Sequence, residues 1–305
     1  MSIVNINGTL IFYDNNPTYY IRDYYYYIID IVNTILKNIH CKYNINLACN
    51  TKFISDKPLI KIHINYEHTL VIPGGRDSAG SPIGSIPVLD NDSVNYLVRL
   101  TEIENINNSD IIIEYSLPNC KNIETSSQYN YLFKKYIYIP PLLYPLNTYK
   151  ETRNIDILTT FINITEPRRE ALLNKLRSND LPHININTCF DKNSLQELYH
   201  SSKIIINIHQ TEHHHTFEEL RVLPALLCGV IVICENSPLK EDISYKDYVI
   251  WCKYDEMIDV TKDVLLNYKK YYTLLFSDSK LHILNDIING LTTNILVELS
   301  KVLKQ

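Results

Sequence analysis

Between residues 155 and 235 short apolar runs alternate with stretches of helical period, and few architectures absorb that pattern. The runs "IDILTTF", "HININTC", "KIIINIH" and "VIVICE" are rich in β-branched residues and read as strands. Between them, "PRREALLNKLRSN", "NSLQELYHSS" and "FEELRVLPALLCG" read as helices. Pro167 suits the first turn of its helix, Asn193 is the expected cap of the next, and Gly229 the stop of the third. Such alternation predicts a parallel sheet with right-handed crossovers and helices on its faces.

The first half repeats the pattern less regularly. "IVNINGTLIFYD" alternates as a half-buried strand, and "TYYIRDYYYYIIDIVNTILKNI" continues as a long helix. Strands are expected near residues 43–49 and 60–72, "SVNYLVRLTEIENIN" reads as a helix, "DIIIEYS" as a buried strand and "QYNYLFKKY" as a further helix. The polar stretch "YPLNTYKETRN" separates the halves, and 305 residues are more than one core of ordinary size holds. The expected fold class is α/β, with two Rossmann-like domains facing an interdomain cleft. Residues 1–146 form one domain, residues 147–280 the other, and residues 281–305 a helix able to pack back across the boundary.

A net charge of −5 argues against a partner held by many phosphates, so no nucleic acid is expected. The longest apolar run, "VLPALLCGVIVIC", spans 13 residues and is broken by Pro and Gly, too short to cross a bilayer. "MSIVNINGTLIFYD" lacks the basic and apolar regions of a signal peptide, and the 7 cysteines show no CxxC pair. Reduced thiols and a cytoplasmic location follow as expectations.

Four of the 7 glycines fall in "IPGGRDSAGSPIGSIP", directly after an expected strand. Ligands of parallel sheets bind beyond the carboxyl ends of the strands. If the domains face one another, this loop would line one cleft together with "NITEPRR" and "HQTEHHHTFEE". Arg168 and Arg169 open a helix whose free amides already favour an anion, and Asn163 and Thr165 add hydrogen-bonding groups. His209 closes a buried strand, where its ring can meet a phosphate or a sugar hydroxyl. His213, His214 and His215 are consecutive, which suits a polar loop better than a zinc site, so no metal is expected. Glu218 or Glu219 can accept from two ribose hydroxyls, with Arg221 in the same helix start.

As a set, "RNIDILTTFINITEPRREALLNKL" and "SSKIIINIHQTEHHHTFEELRVLPALLCGVIVICE" resemble the nucleotide-sugar-binding half of GT-B glycosyltransferases, notably short bacterial and giant-virus (mimivirus-like) members. "INYEHTLV", "YLVRL" and "DIIIEYSLPN" resemble the acceptor-side domain of the same group. The resemblance implies a metal-independent transferase with no tightly bound cofactor. It would move a sugar from a UDP- or GDP-sugar to a hydroxyl on a glycan or glycoprotein, in the host cytoplasm or a viral factory if the source is viral. It also implies that Arg168 and Arg169 approach the donor diphosphate, that Glu218 contacts the ribose or sugar, and that Arg221 supports the site. The better-known pattern carries a second glutamate shortly before the "CG" turn, where this chain has Pro224, which leaves the ribose role between Glu218 and Glu219. An inverting transfer needs a base for an acceptor hydroxyl, and Glu67, His68 and Asp77 are the candidates. A nucleotide-sugar-binding protein without turnover and a nucleotide-sugar epimerase are the alternatives on the same fold.

Overall fold

The computed structural model describes residues 1–48, 55–88, 92–148, 152–162, 165–189 and 191–304. β1 (Ser2–Ile6) and β2 (Thr9–Tyr13) form a hairpin where one strand was expected. The cause is Asn7-Gly8, which take φ of 50° and 81° and close a two-residue turn. α1 (Arg22–Leu36), β3 (Asn44–Asn46) and β4 (Leu59–Asn65) follow. α1 buries Tyr24, Tyr25, Ile28 and Val32 against the isoleucines of the sheet, including Ile11, Ile45 and Ile62.

β5 (His68–Val71), β6 (Ser81–Val88) and β7 (Asp92–Leu100) build a separate antiparallel sheet in the order β5-β7-β6. The helix expected over "SVNYLVRLTEIENIN" is therefore corrected: its first part is β7, and only α2 (Ile103–Asn107) is helical. Tyr96, Val98 and Leu100 are buried while Leu97 and Arg99 are half-buried, the period of two that a strand imposes. The expected strand over residues 60–72 is likewise split, at Tyr66 and Glu67, between two sheets. β8 (Ile111–Glu114), α3 (Leu117–Thr125) and β9 (Tyr136–Tyr138) complete the first half. "QYNYLFKKY" yields a short 3-10 helix, Asn130–Lys135. The main sheet of this half runs β1-β2-β3-β4-β8-β9, parallel except for its β1 edge.

The second half follows its pattern closely. β10 (Ile155–Thr159), α4 (Pro167–Ser178), β11 (His183–Asn185), α5 (Lys192–Ser201), β12 (Ser202–Asn207), α6 (Glu219–Leu227), β13 (Ile231–Glu235) and β14 (Val249–Cys252) make a parallel sheet in the order β11-β10-β12-β13-β14. α5 is capped by Asp191, whose carboxylate accepts from the Ser194 amide at 3.0 Å; Asn193 sits inside the first turn instead. Arg153 staples the start of this half by donating to the carbonyls of Thr148, Tyr199, Ser202 and Cys228. Gly229 (φ 69°) ends α6 so close to that staple that a Cβ would lie 2.6 Å from Thr148 Cα.

After α7 (Met257–Leu266) and α8 (Tyr268–Phe276), the 26-residue α9 (Asp278–Leu303) spans both halves. Leu284 belongs to the core of the five-stranded sheet, and Ile295, Leu299 and Leu303 to that of the six-stranded one. The chain is thus α/β with two sheets of parallel strands. Among the described residues six cysteines are free, five of them buried. None of the described helices is long and apolar enough to cross a membrane.

Candidate functional site

β10 and β12 are neighbours, yet the chain leaves β10 toward β11 on one side and β12 toward β13 on the other. Connections that diverge in this way open a crevice at the carboxyl ends of the two strands. Thr160 follows β10 there, and His209 and Gln210 follow β12. Glu218, Leu220 and Arg221 from the start of α6 extend the same wall. The opposite wall comes from the first half: Tyr20 and Ile21 ahead of α1, Tyr66 to Thr69 around the start of β5, and Tyr115 after β8. Together they enclose a cavity of about 340 Å³.

The glycine loop closes one side of this cavity because it is docked onto the histidine cluster. Val71 forms a β-bridge with His214, the Ile72 amide donates to the His213 carbonyl at 2.9 Å, and the Leu70 amide to Thr216 Oγ1 at 2.8 Å. Arg76 lies 3.2 Å from Glu166, which also accepts from Gln210 at 2.6 Å. Asp77, in the left-handed region at φ 62°, reaches His214 at 3.5 Å and Arg99 at 3.7 Å. Gly75 is required by proximity: a Cβ there would lie 2.3 Å from His213 Cγ.

The two arginines of α4 have different settings. Arg168 is absent from the cavity lining and forms a bidentate bond with Glu235 at 2.5 and 2.7 Å, its guanidinium 3.7 Å above the Tyr254 ring. Glu235 Oε2 also accepts from the His209 amide at 2.9 Å. Burial opposes ionisation of Glu235, yet the His209 charge and the Arg168 bonds together hold it below the usual carboxylate range. Arg169 is 9% exposed and donates to the Ile162 carbonyl at 3.3 Å. Burial, with Arg221 nearby, brings its pKa down to about 10. Arg221 lines the cavity and donates to Asn207 at 2.6 Å. Thr165 is exposed and outside the lining, and Asn163 lies outside the described residues.

Glu218 and Glu219 part company. Glu218 lines the cavity; Glu219 is fully buried, accepting from Tyr138 at 2.5 Å and from the Leu117 amide at 3.4 Å. Desolvation pushes Glu219 up to about 7 against those hydrogen bonds. It ties α6 to the first half of the chain.

On the facing wall, Glu67 accepts from Tyr20 at 3.1 Å. His68 is 5% exposed, with Nε2 3.3 Å from Asn122 and Nδ1 without a partner. Burial lowers His68 to about 3, so it is neutral at neutral pH. His209 stacks on His215 at 5.0 Å and its Nε2 meets the Asn236 carbonyl at 2.9 Å. Among the described residues no group of three or more His, Cys, Asp or Glu converges on a metal position. Glu235, Glu166 and Arg99 were not expected from the sequence. The signal for Glu235 was an acid closing the otherwise apolar "VIVICE" at a ligand-facing strand end.

No family model matches the chain. It is similar to the uncharacterized protein R358 of Acanthamoeba polyphaga mimivirus, at 29% identity over 171 residues that cover 55% of this chain and 57% of the relative. A second uncharacterized protein of that virus is 26% identical over 187 residues, covering 60% of this chain and 57% of its own length. The chain therefore spans little more than half the length of these relatives. Among solved structures it is similar to TarM, with a TM-score of 0.48, 11% identity and coverage of 86% of this chain and 55% of that one. A GtfA/B complex bound to UDP and GlcNAc has a TM-score of 0.34 and 10% identity, covering 92% of this chain and 60% of that one.

Proposed function

We propose that the cavity transfers a sugar from a nucleotide diphosphate donor, a UDP- or GDP-sugar, to a hydroxyl acceptor in the manner of GT-B glycosyltransferases. The observation that carries this reading is one cavity with Arg221, His209 and Glu218 at the switch point of the parallel sheet and a wall of carboxylate, imidazole and phenol groups, Glu67, His68 and Tyr66 among them, opposite. Residues 147–280 would hold the donor, residues 1–146 the acceptor, and residues 281–305 would join the two.

Glu218 accepts from the vicinal ribose hydroxyls, and Arg221 faces the diphosphate with Arg169 adding positive potential from behind. His209, fixed at the end of β12 with its Nε2–H on the Asn236 carbonyl, offers Nδ1 as an acceptor to a sugar hydroxyl. The arginines stabilise the leaving nucleoside diphosphate without a metal. Arg168 acts through Glu235, which it fixes beneath the His209 amide. On the acceptor side Glu67 is the base that geometry favours. Asp77 is surrounded by Arg76, Arg99 and His214, and His68 at about 3 is too weak a base at neutral pH.

Thermal unfolding with UDP, GDP, ADP, CMP, dTDP and their sugars tests the reading, since a ligand of the folded state raises the melting temperature. One nucleotide should stand out, keep its effect in EDTA and lose it in Arg221→Ala and Glu218→Ala. Turnover of that donor should then yield a glycosylated acceptor. No shift with any nucleotide at millimolar concentration would overturn the proposal.

A further inference from the structure

A second cavity, also about 340 Å³, lies beside the first, and the two share Ile21 and Tyr66 as their common wall. It opens where ligands of a parallel sheet bind: Asp14 follows β2, Leu47 and Ala48 follow β3, and His63 to Tyr66 end β4.

The chemistry of the two cavities differs. The first is lined by Arg99 and Arg221. Among the described residues the second has no Lys or Arg in its lining; apart from the amino group of Met1, which bonds Asn15, its formal charges are the carboxylates of Asp14 and Glu102. Its floor is apolar, with Pro17, Ile21, Leu47 and Ile64 buried, and its edge carries Thr18 and the Tyr66 hydroxyl, 3.5 Å from Glu102. Carboxylates without cations repel phosphates and acids but accept from neutral hydroxyls. Tyr20, 45% exposed, lines the first cavity and meets the shared Tyr66 edge to face at 5.9 Å, with Tyr19, 55% exposed, edge to face against its other side. Exposed aromatic rings beside a cleft offer an apolar face with a polar tip.

From this arrangement we infer that the second cavity is a subsite for a neutral carbohydrate, and that the acceptor is a chain of at least two sugar units running from the first cavity across Tyr66 into the second. Its C–H faces lie on Tyr20 and Tyr66, and Asp14 and Glu102 take its hydroxyls. The inference rests on the transferase reading for the direction of the chain, but the subsite itself stands on the lining.

Saturation-transfer NMR on the whole chain tests it, with neutral methyl glycosides and disaccharides of glucose, galactose, N-acetylglucosamine and rhamnose as probes, and glucuronic acid as the anionic control. At least one neutral disaccharide should receive saturation more strongly than its monosaccharide, and glucuronic acid none. Tyr66→Ala and Asp14→Ala should each weaken that binding tenfold or more, while Asp14→Ala keeps the nucleotide-dependent melting shift. If no neutral sugar binds while a nucleotide still raises the melting temperature, the subsite is overturned and the transferase reading survives. Sugar binding that persists in both variants, or is matched by glucuronic acid, also overturns it. Sugar binding without any nucleotide shift upholds the subsite and sinks the transferase reading.

Discussion

Glu235, behind the C-terminal wall of the cleft, accepts three hydrogen bonds, two from Arg168 and one from the His209 amide, whereas Glu67 on the wall opposite accepts from Tyr20 and forms no ion pair among the described residues. The same residue type is a fixed structural anion in one place and a reachable proton acceptor in the other. Groups that stabilise a charged leaving group work best when they are set in advance and need no reorganisation. A base must instead leave its lone pairs open to the substrate. Arg221 with Asn207, and Arg168 with Glu235, belong to the first kind; Glu67, the proposed base, would belong to the second.

The contrast breaks most sharply at Glu235. Glu235→Ala leaves the Arg168 guanidinium, 13% exposed, without its counter-charge. Unfolding free energy in urea should fall by about 3–5 kcal/mol, as for a buried pair that loses one partner, and the nucleotide-dependent melting shift should vanish. A loss under about 1 kcal/mol would mean the wall is not built around this pair.

Glu219 joins the two walls, and its effect depends on pH. Its pKa is raised from 4.5 to about 7 in the folded chain, so folding favours the protonated acid. The stabilising contribution is complete below pH 4.5 and is lost as pH climbs through 7, a span of roughly 3 kcal/mol. Urea titrations of the wild type and Glu219→Gln across that range should diverge progressively, the variant losing less stability as pH rises. Parallel curves would show that Glu219 ionises freely. Glu114, raised to about 8 by burial, contributes in the same direction in both proteins.

Gly75→Ala probes how firmly the loop is held against the histidine cluster. The added methyl meets the His213 ring, and overpacking of this kind costs about 1–3 kcal/mol. Adding His213→Ala should restore only part of the loss, because its own Cβ stays 2.4 Å from the added methyl, whereas His213→Gly removes that contact as well; a double-mutant cycle reads the coupling directly. The smallest stability effect is expected at Asp77, which is 34% exposed among its cations. Asp77→Asn should change unfolding by less than about 1 kcal/mol and turnover only a few-fold. Glu67→Gln should leave stability similarly intact but lower kcat by about 10²-fold or more, the usual contribution of a general base. Equal kinetic losses in the two variants would remove the distinction between them.

The second half was legible because its strands are apolar runs and its helices are bounded by Pro167 and Gly229, so local period and punctuation agree. The stretch that misled is "SVNYLVRL". Val94, Leu97 and Val98 fall on a helical spacing, while Val94, Tyr96, Val98 and Leu100 fall on a strand's. Pairing of β7 with β5 and β6 chose the second set, and nothing within the eight residues could have done so. Among the site residues, Arg168 was noticed for its place at a helix start, but its partner lies 67 positions away at the end of another strand.

Local hydrophobic periodicity was enough to determine the α/β class and four of the five parallel strands of the second sheet, β14 alone going unread, because each of these follows from side chains close together in the chain. The tertiary structure alone decided that Glu218 faces the cavity while Glu219 locks the halves together. It alone seated the glycine loop on His213, through contacts such as the Leu70 amide on Thr216, 146 positions apart. One position along a helix start rotates a side chain by about 100°, so which neighbour meets solvent depends on what is packed outside the helix.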